Sequence, residues 1–363
     1  MKPFAAFSVS CSFLVIISLG ATDHSSARRD SISQEQKDKL DKVERVLVEV
    51  LAITDRGSQD AGPLGETVVR RMQDVGYTVV TDPAQPHDVL VRVKCEQQKV
   101  WEGTTRSGGD ADLPDSPSRV WKGPACQISY LLDGKKLGWQ KEVRTDFQDA
   151  RQAATAAQAG DPGGYAMGKL QERLEEYPFP MLLAAEWGQE GRLLKALDNP
   201  ASPPAKKIRI ISLLGEIFAT EAVPRLQTAL KGPDVAIAKA AAVALGNIGQ
   251  KDSIATLVSV LETGKPELQA AAAKGLGQVG ALHGDFSIIQ PLLQALKVDD
   301  LGVKTEVVWA LGKLPDKRTA EALYALNRTL QSSRGGEHEV EEKKLREALN
   351  WSLKQVDTFD QFN

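Results

Sequence analysis

The chain of 363 residues is predicted to hold a small α+β domain, with a mainly antiparallel sheet and helices on one face, followed by an all-α solenoid. Three observations support this. A Leu-Gly pair recurs at Leu214-Gly215, Leu245-Gly246, Leu276-Gly277 and Leu311-Gly312, at intervals of 31, 31 and 35 residues, and a period of this size marks stacked helix pairs. Upstream, short alternating apolar runs are separated by turn signals, among them Asp133-Gly134 between two strand-like segments, a strong hairpin signature. Ahead of both, Lys2 precedes an apolar run from Phe4 to Leu19.

That first run ends in Ser18-Leu19-Gly20, before the polar Thr22-Asp23-His24. It reads as a secretory signal peptide over residues 1–21. An uncleaved anchor is the alternative, but the run is short for a bilayer span. A lipid anchor would use Cys11, yet Ser8-Val9-Ser10 is a poor lipidation motif and little apolar sequence precedes it. The protein is therefore expected to be exported and periplasmic, with secretion as the second choice. Contact with the membrane is expected to be only indirect.

Residues 22–40 are polar and weakly periodic and are read as a flexible leader or frayed helix. The α+β domain is placed at 41–180. Val43 to Ile53 is strand-like; Leu64, Val68, Met72 and Val75 make one helical stripe, ended by Gly76. Tyr77 to Val80 is a strand, Asp82 to Pro86 a turn, and Val89 to Cys95 a strand. Gly103 to Pro117 is a Gly/Asp/Pro/Ser-rich loop. Ala125 to Leu132 and Lys136 to Val143 flank the hairpin turn, Asp149 to Gly164 is a polar linker, and Ala166 to Tyr177 is a helix.

Once Cys11 leaves with the signal, Cys95 and Cys126 remain. Each is in phase with the apolar side of an alternating strand, so neighbouring strands could bring them within bonding range. An even pair in an oxidising compartment suggests a disulfide; two buried thiols are the alternative.

In the solenoid, placed at 181–356 with a tail at 357–363, alignment on Leu-Gly puts Ile237, Leu268 and Val303 at one position. Ala241, Ala272 and Val307 fall a turn later, then Leu245, Leu276 and Leu311, which is one stripe of a first helix. The glycine after each leucine is read as the end of that helix, in the left-handed conformation. The second helices carry Val223, Leu226 and Leu230; Ile254, Leu257 and Leu261; and Ile289, Leu292 and Leu296. The four extra residues of the third interval are placed in the turn from Gly280 to Asp285.

The runs from Ala244 to Gly249 and from Gly275 to Gly280 resemble HEAT repeats, especially the short HEAT-like repeats of the phycobilin-lyase type, over about residues 188–356. The segment from Met72 to Cys95 is similar to a helix–Gly-Tyr–strand–Asp-Pro–strand pattern of small α+β domains in bacterial envelope proteins. The HEAT-like resemblance implies partner docking on a concave side formed by the second helices. There Arg225, Gln227, Gln290, Gln294, Tyr324 and Arg328 are the expected partner-binding residues. Trp309 joins them from the first helix: it stands where the other repeats have Ser212, Val243 and Lys274, so the position tolerates exposure and the ring suits an interface anchor.

The net charge is −3, with no basic stripe, so nucleic acid is not an expected partner. Nucleophile elbows, phosphate loops and zinc-protease helices are absent from the sequence. Asp110, Asp112 and Asp115 alternate on a loop that could hold calcium, but the spacing misses the established calcium-loop pattern and a solvated loop is expected. His87 and His283 are read as turn residues. The sequons Asn327-Arg328-Thr329 and Asn350-Trp351-Ser352 fall on predicted helices. No metal or cofactor is expected. The function expected is that of an exported, non-enzymatic scaffold or adaptor for a protein of the cell envelope. The alternative is a ligand- or cofactor-handling accessory, lyase-like or chaperone-like.

Overall fold

The computed structural model describes residues 32–103, 119–314, 316–332 and 339–362. The expected signal peptide and the loop with Asp110, Asp112 and Asp115 lie outside them. Ser33 opens helix α1 (Gln34–Asp41) with a capping box, its hydroxyl accepting from Gln36 N and the Gln36 side chain accepting from Ser33 N. Of the two readings of residues 22–40, flexible leader or frayed helix, the helical one describes the stretch from Gln34 onward, because paired capping satisfies backbone groups that a polar stretch would leave to water. Leu40 fixes the helix to the core.

The sheet is built on β1 (Arg45–Thr54), which pairs antiparallel with β2 (Gly57–Gln59). Helix α2 (Gly62–Gln73) then crosses the sheet, so that β3 (Thr78–Val80) and β4 (Val89–Gly103) both pair with β1 in parallel. β4 pairs antiparallel with β5 (Arg119–Leu132), and β5 with β6 (Lys135–Arg144). The sheet is therefore mixed: the expected antiparallel pairings are joined by two parallel ones, for which a crossover helix is needed. Asp133 and Gly134 turn β5 into β6 at φ 49° and 72°, the two left-handed centres that a tight hairpin requires. Val91, Val93, Cys95, Ile128 and Tyr130 are fully buried on one side. The other side carries part-exposed pairs such as Arg92 with Glu49 and Lys94 with Glu96. Cys95 and Cys126 are direct cross-strand partners and form a disulfide.

The expected polar linker from Asp149 to Gly164 holds helix α3 (Ala150–Ala156) and the first turn of α4 (Pro162–Glu176). Asp149 and Asp161 cap the two helices, each accepting backbone N–H bonds, which is why a polar, glycine-containing stretch is ordered here. Helix α4 buries Ala166, Leu170 and Leu174 on the sheet.

Residues 180 and 181, where the domain boundary was expected, lie inside α5 (Phe179–Glu186), whose eight residues are all buried. Trp187 stands edge-on to both Tyr77 and Tyr130, with ring centroids 5.5 Å away in each case. Gln189 ties three segments together. Its Nε2 donates to the carbonyls of Leu40, Asp41 and Val43 at 3.2, 3.2 and 2.8 Å. Its Oε1 accepts from Tyr77 Oη at 2.7 Å and Arg192 Nε at 3.0 Å. Arg192 lies 4.0 Å over the Tyr77 ring, and burial holds the Tyr77 hydroxyl well above the usual phenol range.

After α6 (Glu190–Asp198), helices alternate between two layers. The first layer is α7 (Pro204–Glu216), α9 (Val235–Ile248), α11 (Pro266–His283), α13 (Leu301–Gly312) and α15 (Glu339–Phe362). The second is α8 (Val223–Leu230), α10 (Ser253–Thr263), α12 (Ile289–Ala295) and α14 (Lys317–Ser332). Gly215, Gly246 and Gly277 lie inside their helices and Gly312 is the last residue of α13; none of the four is left-handed, contrary to expectation. A Cβ on Gly215 would lie 2.9 Å from Ala244 Cα, on Gly246 2.5 Å from Gly275 Cα, and on Gly277 2.7 Å from Ala310 Cα. They let successive first-layer helices touch backbone to backbone. The left-handed residues come later, at Phe218, Gly249 and Gly284. The four extra residues are likewise not in a turn: they lengthen α11 to 18 residues, about one added helical turn.

Two consequences are measurable by urea unfolding. Gly277→Val forces α11 from α13 and costs about 3 kcal/mol, whereas Gly168→Ala, with open space at its Cβ, gains about 0.5–1 kcal/mol. Replacing both cysteines by alanine opens a loop of sequence separation 31 and lowers stability by about 3–4 kcal/mol.

Candidate protein-binding face

The glycine contacts fix the register of the first layer. Each glycine meets the residue two before the next helix's glycine: Ala244, Gly275, Ala310, and finally Ser352 against Gly312. The last contact aligns Trp351-Ser352-Leu353-Lys354 of α15 with Trp309-Ala310-Leu311-Gly312 of α13. A single row therefore crosses the layer: Ser212, Val243, Lys274, Trp309 and Trp351. One turn onward lies a second row of Glu216, Asn247, Gln278 and Lys313. Trp309 and Trp351 are in contact, their ring centroids 5.0 Å apart. Gln278 Nε2 donates to Asn247 Oδ1 at 2.9 Å.

Contact distance decides which way the array bends. First-layer neighbours meet through glycine and alanine and pack along their lengths, while second-layer neighbours touch at only a few points. Smaller side chains at a contact bring helix axes closer, so the array curves around the first layer. The inner side thus belongs to the Leu-Gly helices, the opposite of what the resemblance implied. A trough of about 700 Å³ lies on that side across α7, α9 and α11. Its lining combines small and apolar residues, among them Ala236, Ala240, Val243 and Ala271, with the polar Glu216, Lys239, Asn247 and Glu267.

Arg209 and Glu216 approach to 3.8 Å. Lys313 is half-buried; burial holds its ammonium below the usual lysine range, Lys274 adds to the effect and Glu306 opposes it. Glu267 and Lys274, and Glu306 and Lys313, are each seven residues apart, about 10 Å along a helix, too far for direct contact.

The seven residues expected to bind a partner are divided between the layers. Trp309 belongs to the first. The other six belong to the second, where most are engaged within the chain. Arg225 pairs with Asp198 at 2.9 Å, Gln227 Nε2 donates to the Asp252 carbonyl at 3.0 Å, and Gln294 Oε1 accepts from Lys297 Nζ at 2.8 Å. Tyr324 Oη bonds to Asp357. Gln290 and Arg328 are exposed. His283 ends α11 and donates from Nε2 to the Gly249 carbonyl at 2.6 Å; His87 Nδ1 lies 3.0 Å from the Gln85 carbonyl. The second sequon is structural, since Ser352 is fully buried and donates to the Val308 carbonyl at 2.9 Å. Sequence reading missed α15 as the fifth member of the row. The signal was the Trp-x-Leu shared by residues 309–311 and 351–353, hidden because Lys354 replaces the glycine. Among the described residues no group of three or more His, Cys, Asp or Glu side chains is placed to hold a metal, and no helix is long and apolar enough to cross a membrane.

A family model described as HEAT repeats matches residues 192–276 and 254–335. The solved complex of CpcE and CpcF of phycocyanin lyase from Nostoc sp. PCC7120 is similar at 17% identity, over 49% of this chain and 88% of that chain, with a TM-score of 0.26. No curated protein matches the chain.

The two layers separate by mutation. Trp309→Ala removes the ring that lies tilted against Trp351 and lowers urea stability by about 1–3 kcal/mol. Arg225→Ala breaks a solvent-screened pair and changes it by less than about 0.5 kcal/mol.

Proposed function

We propose that the chain, whose residues 192–276 and 254–335 match a model of HEAT repeats, is an exported, non-enzymatic adaptor that holds a protein partner against the inner, first-layer side of the helical array. The observation that carries this reading is the trough across α7, α9 and α11, continued in register by Lys274 and Trp309. Its alanines let a partner's backbone come close, and its polar residues supply hydrogen-bond partners. Arrays of stacked helix pairs present such extended inner surfaces for binding. An aromatic anchor beside small residues is what a localised binding contribution needs.

Export is supported by the Lys2-led apolar run of the N-terminus and by the Cys95–Cys126 disulfide, a bond that persists in oxidising compartments. In this reading the protein works in the periplasm of a bacterial envelope. The α+β domain holds the entry end of the array through Gln189 and Arg192, and the array itself does the gripping.

The test is affinity capture from the envelope fraction, using the purified chain and three variants, with mass spectrometry as readout. Ala240→Trp fills the trough, Trp309→Ala removes the anchor, and Gln290→Ala alters an exposed second-layer residue. A defined protein retained by the unaltered chain and by Gln290→Ala, and reduced at least about tenfold by the other two, is the expected result. Equal retention by all four sinks the assignment of the face, and a small molecule retained in place of a protein makes the chain a ligand-handling accessory.

A further inference from the structure

We propose that the part of this face next to Trp309 and Trp351 receives an acidic segment of the partner polypeptide, with Lys274 and Lys313 taking a carboxylate and Trp309 taking an adjoining apolar side chain. This rests on the adaptor reading above and names the chemistry of the partner.

Three observations carry it. First, Lys274 stands in the same row as Trp309, and Lys313 one turn beyond it on α13. The two lysines therefore border the aromatic pair from neighbouring helices. Second, among the described residues neither lysine makes an ion pair, although other cations of the array do: Arg209 with Glu216, Lys304 with Asp299, Arg346 with Glu342. Third, the nearest acids on the same helices, Glu267 and Glu306, lie two turns toward the N-terminal ends. On each of α11 and α13 the acid therefore precedes the lysine along the helix. Lys313 is half-buried and feels the charges of both Glu306 and Lys274, yet among the described residues it has no ion-pair partner at contact distance, and a carboxylate placed between the two lysines would pair with both. Aromatic rings at the same place provide apolar area at little entropic cost. A basic segment would meet the two lysines instead of a partner for its charge.

The partner is identified by its chemistry: a polypeptide with carboxylates beside leucine or phenylalanine. A lone inorganic anion would use the lysines and leave the tryptophans idle, and an acidic lipid surface could not enter the inner side of a curved array.

The measurement is fluorescence anisotropy with three labelled twelve-residue peptides that share leucine and phenylalanine positions and carry Glu, Gln or Lys elsewhere. The purified chain is expected to bind the Glu peptide at least about tenfold tighter than the Gln peptide, with the Lys peptide weakest, and the preference should weaken with salt. In the Lys274→Glu/Lys313→Glu double variant the order should reverse, with an unchanged unfolding midpoint confirming that the array is intact. Trp309→Ala should weaken all three. Equal affinities, no binding of any peptide, or an order unchanged by charge reversal would overturn the proposal. So would binding of phosphatidylglycerol vesicles, lost in the same double variant, without binding of the Glu peptide. Capture of the natural partner separates the two levels: loss with Ala240→Trp but not with the double variant leaves the face standing and removes the acidic contact, whereas retention by both removes the face as well.

Discussion

Backbone contact between first-layer helices is the constraint on which the array depends. Where Gly246 faces Gly275 and Gly277 faces Ala310, an added Cβ would fall within 2.7 Å of the neighbouring helix's backbone. Close packing of this kind has no room to adjust, since protein interiors are as dense as organic crystals. The same contacts set the register, and the register puts Ser212, Val243, Lys274, Trp309 and Trp351 into one line. They also shorten the spacing on one side, so the curvature and the trough come from the same few glycines. On α15 the glycine position is taken by Lys354, which is exposed, so the glycine contact of the preceding helices is not repeated there.

The other end is held by polar chemistry. Gln189 supplies two donor and two acceptor functions to Leu40, Asp41, Val43, Tyr77 and Arg192, and Trp187 fills the apolar space between the two tyrosines. Buried polar networks of this sort specify one arrangement because a partly satisfied network is costly. The sheet and the array thereby share a continuous core, and α5 is buried from both sides.

The charges on the inner face follow a different logic from those elsewhere. The outer side of the sheet is laced with short pairs such as Lys94–Glu96, which solvent largely screens. On α11 and α13 the acids and lysines are placed two turns apart, so they make no contact pair. Charges spaced in this way set up a field along the helix surface instead of closing on one another.

Much of the architecture was legible in the sequence. The period of 31 announced the helix pairs, alternation placed β1 and β4, Asp133-Gly134 gave the hairpin, and the phase of Cys95 and Cys126 pointed both at the core. These are local signals, set by helical and strand periodicity and by turn stereochemistry. The parallel pairings of β1, the helix over Pro162–Glu176 starting inside an apparent linker, and the extra turn of α11 were not legible. Each depends on which surfaces meet across the chain. The Leu-Gly glycines show the difference most clearly: a glycine that caps a helix and a glycine that admits a neighbouring backbone look the same in one dimension. Only the tertiary structure assigned them to the contact, divided Trp309 from Arg225 and Gln290, and joined it to Trp351, because those relations are set by the distance between helix axes and not by the order of residues along them.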